Sequence, residues 1–157
     1  GEVVWGRRLD PARLRLESIP LPTSGHRWGD IVLHDGAPNG YREHDGHRWS
    51  VFDELVRWRP SEVPTLEATV SAGSAAEVEA LLEAIEGAGH AAENWSTSLH
   101  VMCRECSEGT VHQHRDPAVD GAEQLVGIAG PLDDVRAVVD AWAGGPGRRC
   151  HRLEPVG

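Results

Sequence analysis

The chain has 157 residues, 39% of them hydrophobic, and a formal net charge of −10 in which all 15 basic residues are arginine. This length fits one ordinary domain or two small ones. No apolar run approaches the roughly 20 residues that a membrane-spanning helix needs, so the sequence predicts no membrane span. The acidic balance disfavours sequence-independent binding to nucleic-acid backbones, and no nucleic-acid partner is expected.

Residues 1–62 predict a β-rich subdomain, folded as a small β-barrel or a meander. Leu14–Ile19 and Trp28–Leu33 are short strand-like runs, each ended by residues that favour turns. Phe52–Trp58 precedes a proline and predicts a short helical turn.

The strongest local signal of this half is the pair Asp45-Gly46. It separates two short segments, Tyr41–His44 and His47–Val51. Asp-Gly tolerates the positive φ angles of a type I′ turn, whose twist matches that of the strands it joins. The sequence therefore predicts a β-hairpin here.

Residues 63–157 predict a ferredoxin-like sandwich with the element order β-α-β-β-α-β. Alternation predicts a strand around Leu66–Val70, and further strands are predicted over Gln124–Ala129 and Arg149–Leu153. A third alternating set, interpreted as the second strand of this unit, is formed by Trp95, Thr97, Leu99 and Val101.

Two amphipathic helices complete the predicted unit. Ser74 and Glu77 have the spacing of a capping box at the start of the first helix. Apolar residues at helical spacing follow in both helices: Val78, Leu81, Leu82 and Ile85 in the first, and Leu132, Val135, Val139 and Trp142 in the second. The predicted fold class is thus α+β, with residues 1–62 and 63–157 as two subdomains or one integrated unit.

The segment CRECSEGTVHQH predicts a metal site in the connection between the second and third strands of the ferredoxin-like unit. A C-x-x-C turn (Cys103, Cys106) is followed by an H-x-H pair (His112, His114). Two sulfur and two nitrogen ligands suit tetrahedral Zn²⁺. Four ligands supplied locally predict a closed structural site, a zinc knuckle, rather than a catalytic one.

Two other interpretations of this segment stay open: a redox pair and an unmetallated loop. The redox alternative is disfavoured because Glu105 and Glu108 flank the thiols and no helical pattern follows them. Three cysteines without a visible leader segment predict a reducing, cytoplasmic location.

The aromatic content is unusual, with six Trp against one Tyr and one Phe, and four of the tryptophans lie in the first 60 residues. Tryptophan is enriched at recognition hot spots, although it also fills small cores. The candidate binding residues on the predicted loops and hairpin are Trp28, His44, His47 and Trp49.

Three segments together resemble uncharacterised actinobacterial proteins, some of which carry tetratricopeptide repeats elsewhere in their chains. These segments are GDIVLHDGAPNGYR, VFDEL and CRECSEG followed by histidines. The resemblance implies no activity and no catalytic residues.

The sequence therefore predicts a zinc-stabilised, non-enzymatic interaction module that contacts a protein or peptide partner. One alternative is a metal-dependent enzyme that uses the His/Asp cluster of residues 26–47. The other is a metal-sensing or metal-delivery protein in which the Cys/His site exchanges its ion.

Overall fold

The computed structural model of the chain describes residues 2–97 and 122–157. Its first part contains a four-stranded antiparallel sheet and a separate two-stranded hairpin. The sheet has the order β1-β2-β3-β6, with strands β1 (Gly6–Arg8), β2 (Arg13–Leu16), β3 (Ile31–His34) and β6 (Glu54–Arg59). The hairpin pairs β4 (Tyr41–His44) with β5 (His47–Ser50).

The second part is a four-stranded antiparallel sheet with two α-helices. Its elements are β7 (Thr65–Ser71), α1 (Ala75–Gly87), β8 (Ala91–Asn94), β9 (Gln124–Ala129), α2 (Leu132–Ala143) and β10 (Arg149–Val156). The strands lie in the order β10-β7-β9-β8, so the first strand of this unit is central and the second forms an edge. No helix in the described residues is both long and apolar enough to cross a membrane.

The larger hydrophobic core lies between this second sheet and its two helices. Alternation places Leu66, Ala68 and Val70 of β7 on one face of the sheet, and all three are buried. The helices cover that face with residues at helical spacing, namely Val78, Leu81, Leu82, Ile85, Val135, Val139 and Trp142. The Trp142 indole N–H donates to the Glu77 carbonyl at 2.8 Å, which joins the two helices.

A smaller cluster lies on the opposite face of the second sheet and connects it to the first part of the chain. Trp95 packs against Gly127 of β9, where an added Cβ would lie only 2.2 Å from the indole ring. The Trp95 indole N–H donates to the Ile19 carbonyl at 3.0 Å. Trp28 is half-buried against this cluster. The contact between Ile19 and Trp95 therefore joins the two parts of the chain.

The predicted fold class is corrected on two points. The first 62 residues do not form a barrel: their strands belong to two separate sheets, and none of the three sheets in the described residues is closed. The second point is the zinc knuckle, because the described residues contain no group of three or more His, Cys, Asp or Glu side chains that could hold a metal. Cys103, Cys106, His112 and His114 lie outside the described residues. The structure supports a mixed α+β class.

Some local predictions are confirmed and others are wrong. The hairpin is confirmed, with φ of +50° at Asp45 and +72° at Gly46 as a type I′ turn requires. Phe52–Trp58 is not helical, because most of this segment forms β6, which pairs with β3. Trp95 and Thr97 are helical, and the preceding strand ends at Asn94. Ser74 makes no side-chain cap hydrogen bond, so the predicted capping box is wrong.

Candidate functional site

Three of the four predicted binding residues lie on one face of the β4-β5 hairpin. The register pairs Arg42 with Trp49 and His44 with His47, and directly opposed residues of an antiparallel pair share a face. The His47 and Trp49 rings are 6.3 Å apart. The turn at Asp45-Gly46 fixes this register.

Trp5, from the segment before β1, packs on the same face of the hairpin. Its ring lies 5.5 Å from Trp49 in an edge-to-face arrangement and 5.6 Å from His44. Edge-to-face contacts of this kind stabilise aromatic pairs beyond their buried area. We call the four side chains Trp5, His44, His47 and Trp49 the aromatic surface.

The aromatic surface stays open to solvent although its rings pack on one another. Trp5 is 44% exposed and Trp49 is 48% exposed. Tyr41, on the other face of the hairpin, is also exposed and is stacked by the Arg48 guanidinium at 4.0 Å from the ring centroid. In the described residues every exposed large hydrophobic side chain lies between Val3 and Trp58. Exposed apolar rings that pack on one another, as Trp5 and Trp49 do, are typical of interaction sites.

A groove of about 1070 Å³ lies between the hairpin, the N-terminal segment and the first sheet. Its floor is one face of that sheet, to which β1, β2, β3 and β6 contribute Arg8, Leu14, Leu16, Val32, His34 and Glu54. Trp5 and Trp49 stand on its walls. The aromatic surface therefore borders a cavity whose floor combines apolar side chains with a few polar ones, as is common for ligand sites.

His34 is the buried polar residue of the groove floor. It is only 4% exposed, and its Nδ1 accepts a hydrogen bond from the Gly36 backbone N–H at 3.0 Å. In the neutral ring the other nitrogen, Nε2, then carries the proton and is a donor. Nε2 is buried and has no hydrogen-bond partner among the described residues.

His26 and Glu54 form an ion pair at one end of the groove, with 2.8 Å between Nε2 and Oε1. The His26 Nδ1 lies 3.1 Å from the Ser24 carbonyl oxygen, so both ring nitrogens face acceptors. Burial lowers the pKa of His26, but the hydrogen bonds to Glu54 and Ser24 outweigh it, and the pKa is raised overall. The pair favours the imidazolium form of His26.

The other predicted binding residue, Trp28, does not belong to this site. It packs on the smaller cluster with Ile19 and Trp95, between the two parts of the chain. Trp5 was missed as a site residue by the sequence analysis. The only sequence signal for it was its membership of the N-terminal tryptophans, because Trp5 lies 44 positions before Trp49 in the chain.

The His/Asp cluster of residues 26–47, all of which are described, does not converge on one point as a metal site. Asp30 is fully buried, and its carboxylate accepts from the backbone N–H groups of Ser61 at 2.6 Å and Arg27 at 3.0 Å. These contacts give Asp30 a structural function. No observation in the described residues favours the metal-dependent enzyme, and that alternative stays untested.

Comparisons with known proteins give no identification. No protein-family model, no curated protein and no solved structure matches the chain. The resemblance to actinobacterial proteins therefore stays a prediction.

Proposed function

We propose that the protein is a non-enzymatic, cytoplasmic interaction module that binds a peptide or protein segment at the aromatic surface and the adjoining groove. The observation that carries the proposal is the exposed Trp5–Trp49 pair on the wall of a groove of about 1070 Å³. The cytoplasmic location of the protein is proposed from the cysteine usage of the sequence.

Apolar rings that stay in water carry a free-energy cost. A Trp ring that stays about half exposed forgoes much of the free energy that burial would provide, roughly 25 cal/mol per Å². Both rings are held by each other and by the hairpin, so little side-chain entropy remains to be lost on binding. Rigid, exposed aromatic side chains next to a pocket are the usual anchors of a recognition surface.

A selection of peptides from a phage-displayed library of random short sequences on the immobilised protein tests the proposal. We expect the selection to enrich peptides that bind the wild type. These peptides should bind Trp49→Ala more weakly than the wild type by about 2 kcal/mol or more, roughly thirtyfold in Kd. Trp58→Ala is the matched control, because Trp58 is also an exposed tryptophan but does not line the groove. Failure to enrich any peptide, or equal binding to wild type and Trp49→Ala, would contradict the proposal.

Zinc binding by Cys103, Cys106, His112 and His114 stays a prediction of the sequence. Elemental analysis of protein purified without added metal is expected to give about one zinc per chain. Cys103→Ser should then lower the metal content and the thermal stability together, because the free energy of metal binding contributes to folding. Metal content near zero in the wild type would rule the prediction out. Rapid exchange of the ion without loss of stability would favour the sensing or delivery alternative.

A further inference from the structure

The groove floor contains one hydrogen-bond donor that the described residues leave unpaired. The Nδ1 of His34 is occupied by the Gly36 N–H, so the Nε2–H is the group that remains. A buried donor without a partner costs on the order of 1–3 kcal/mol of desolvation. An acceptor supplied by a ligand in the groove would recover that free energy.

Arg8 packs on the same aromatic ring as His34 and contributes positive charge. Its guanidinium stands 5.1 Å from the centroid of the Phe52 ring, and the same ring packs against His34 at 4.5 Å. Arg8 donates to the Pro11 carbonyl oxygen, but it forms no ion pair with a carboxylate among the described residues. Phe52 therefore contacts both the imidazole with the unpaired N–H and an arginine that has no carboxylate partner among the described residues.

The carboxylates around the groove are already engaged and do not compete for these donors. Glu54 pairs with His26 and Glu17 pairs with Arg7 at 2.9 Å. Asp53 accepts from the Asn39 amide at 2.6 Å, and Glu2 accepts from the Leu21 backbone N–H at 2.9 Å. Next to Arg8 and His34 the floor is apolar, formed by Leu14, Leu16 and Val32. This end of the groove thus offers two donors and an apolar surface to a ligand with an anionic acceptor and an apolar body, and Arg42 and Arg48 line the groove as well.

We propose that the groove recognises a carboxylate of the bound peptide, which accepts from His34 Nε2–H and Arg8, while neighbouring apolar side chains pack on Leu14, Leu16 and Val32. This inference rests on the proposed function and names the chemistry of its ligand. A singly charged carboxylate fits one neutral N–H and one guanidinium better than a multiply charged phosphate, which the net charge of −10 also repels.

Two variants at position 34 test the contributions of the two His34 ring nitrogens separately. In His34→Asn the amide oxygen takes the place of Nδ1 and can still accept from Gly36, but the groove donor is lost. In His34→Gln the side-chain amide reaches the place of Nε2 and can restore the donor. Arg8→Ala removes the guanidinium from an exposed position and keeps the test available if His34→Asn is unstable. Arg59→Ala, an exposed arginine that does not line the groove, is its control.

The experiment measures binding of the selected peptides in matched pairs, in which each Asp, Glu or C-terminal carboxylate is replaced by its amide. We expect one carboxylate in each peptide to strengthen binding roughly ten- to a hundredfold. That preference should disappear in His34→Asn and Arg8→Ala and persist in His34→Gln and Arg59→Ala. Binding should also shift the His34 Nε2–H resonance in histidine-selective NMR spectra of the wild type.

The outcomes separate this inference from the proposed function. Peptides that bind in a Trp49-dependent manner but equally well as acid and amide would overturn the carboxylate inference alone. If hexanoate, an apolar acid without a peptide backbone, bound as tightly as the peptides, the ligand would be a small acid and the peptide assignment would be overturned. Absence of any peptide binding would overturn the proposed function and this inference together.

Discussion

The two parts of the chain use their apolar side chains in opposite ways. The larger buried core lies between Leu66 and Trp142, whereas the exposed large hydrophobic side chains of the described residues lie between Val3 and Trp58. Two helices cover one face of the second sheet, but no helix covers the first sheet in the described residues. The difference assigns most of the buried apolar packing to the second part, and it is the first part that carries the proposed binding surface.

Charge divides along the same boundary. Residues 1–60 contain nine arginines and nine acidic residues, so their formal charges cancel, while residues 61–157 contain six arginines and sixteen acidic residues. The second part therefore carries the whole net charge of −10. A carboxylate ligand would be repelled by the second part and would meet its least unfavourable field over the first.

The largest expected difference between the two parts comes from one pair of truncations. Leu81→Ala removes a side chain that is 0% exposed in the core and should lower the free energy of unfolding by about 2–5 kcal/mol. Leu55→Ala on β6, where the side chain is 66% exposed, should change it by less than about 0.5 kcal/mol. Urea unfolding measures both values. Similar losses of unfolding free energy in the two variants would contradict the proposed division between a packed and an exposed part.

A smaller loss is expected where the smaller cluster meets the second sheet. In Gly127→Ala the new methyl group would lie 2.2 Å from the Trp95 ring, and overpacking should cost about 1–3 kcal/mol. Gly87→Ala is the control, because its Cβ meets no atom within 4 Å and the residue lies in α1. That control should be neutral or stabilising by up to about 1 kcal/mol. Thermal and urea unfolding of both variants distinguish these results.

The joint between the two parts can be weakened at Trp95. Trp95→Phe keeps an aromatic ring but removes the N–H that donates to the Ile19 carbonyl, which should cost about 1–2 kcal/mol. Urea unfolding measures the loss, and hydrogen exchange of Ile19 and its neighbours reports whether the first part opens separately. A loss below about 0.5 kcal/mol would mean that this contact does not couple the two parts.

The smallest expected effect is a dependence of stability on pH at His26. The raised pKa of the folded state means that His26 contributes its stability fully below its unfolded pKa of about 6.5. This contribution is lost as the pH rises through the raised folded value. Because Glu54 is more than a third exposed, the contribution should stay below about 1 kcal/mol.

Glu54→Gln tests this pH dependence. Unfolding free energies measured between about pH 5.5 and about pH 8.5 should fall less in the variant than in the wild type. Glu83→Gln, an exposed change on α1, should leave the difference unaltered. If the pH dependence of the unfolding free energy were the same in Glu54→Gln as in the wild type, the His26–Glu54 ion pair would not contribute to it.

The sequence by itself determined the elements that depend on local physics. Positive φ angles at Asp45 and Gly46 specify the hairpin turn without help from the rest of the chain. Helical spacing identified the buried faces of α1 and α2, because a 3.6-residue period is a property of the segment alone. Strand β9 likewise has the bounds Gln124–Ala129 that the sequence predicted.

Tertiary structure decided what depends on partners distant in the chain. The segment after Phe52 became a strand because β3 supplies its hydrogen bonds, which no local pattern specifies. Trp28 and Trp49 have the same side chain, yet one fills the contact between the two parts and the other stands on the groove wall. The donor on His34 exists only because Gly36 takes its other nitrogen and the sheet buries the ring. Burial and pairing are set by packing across the whole fold, so these features followed from the structure and not from the sequence pattern.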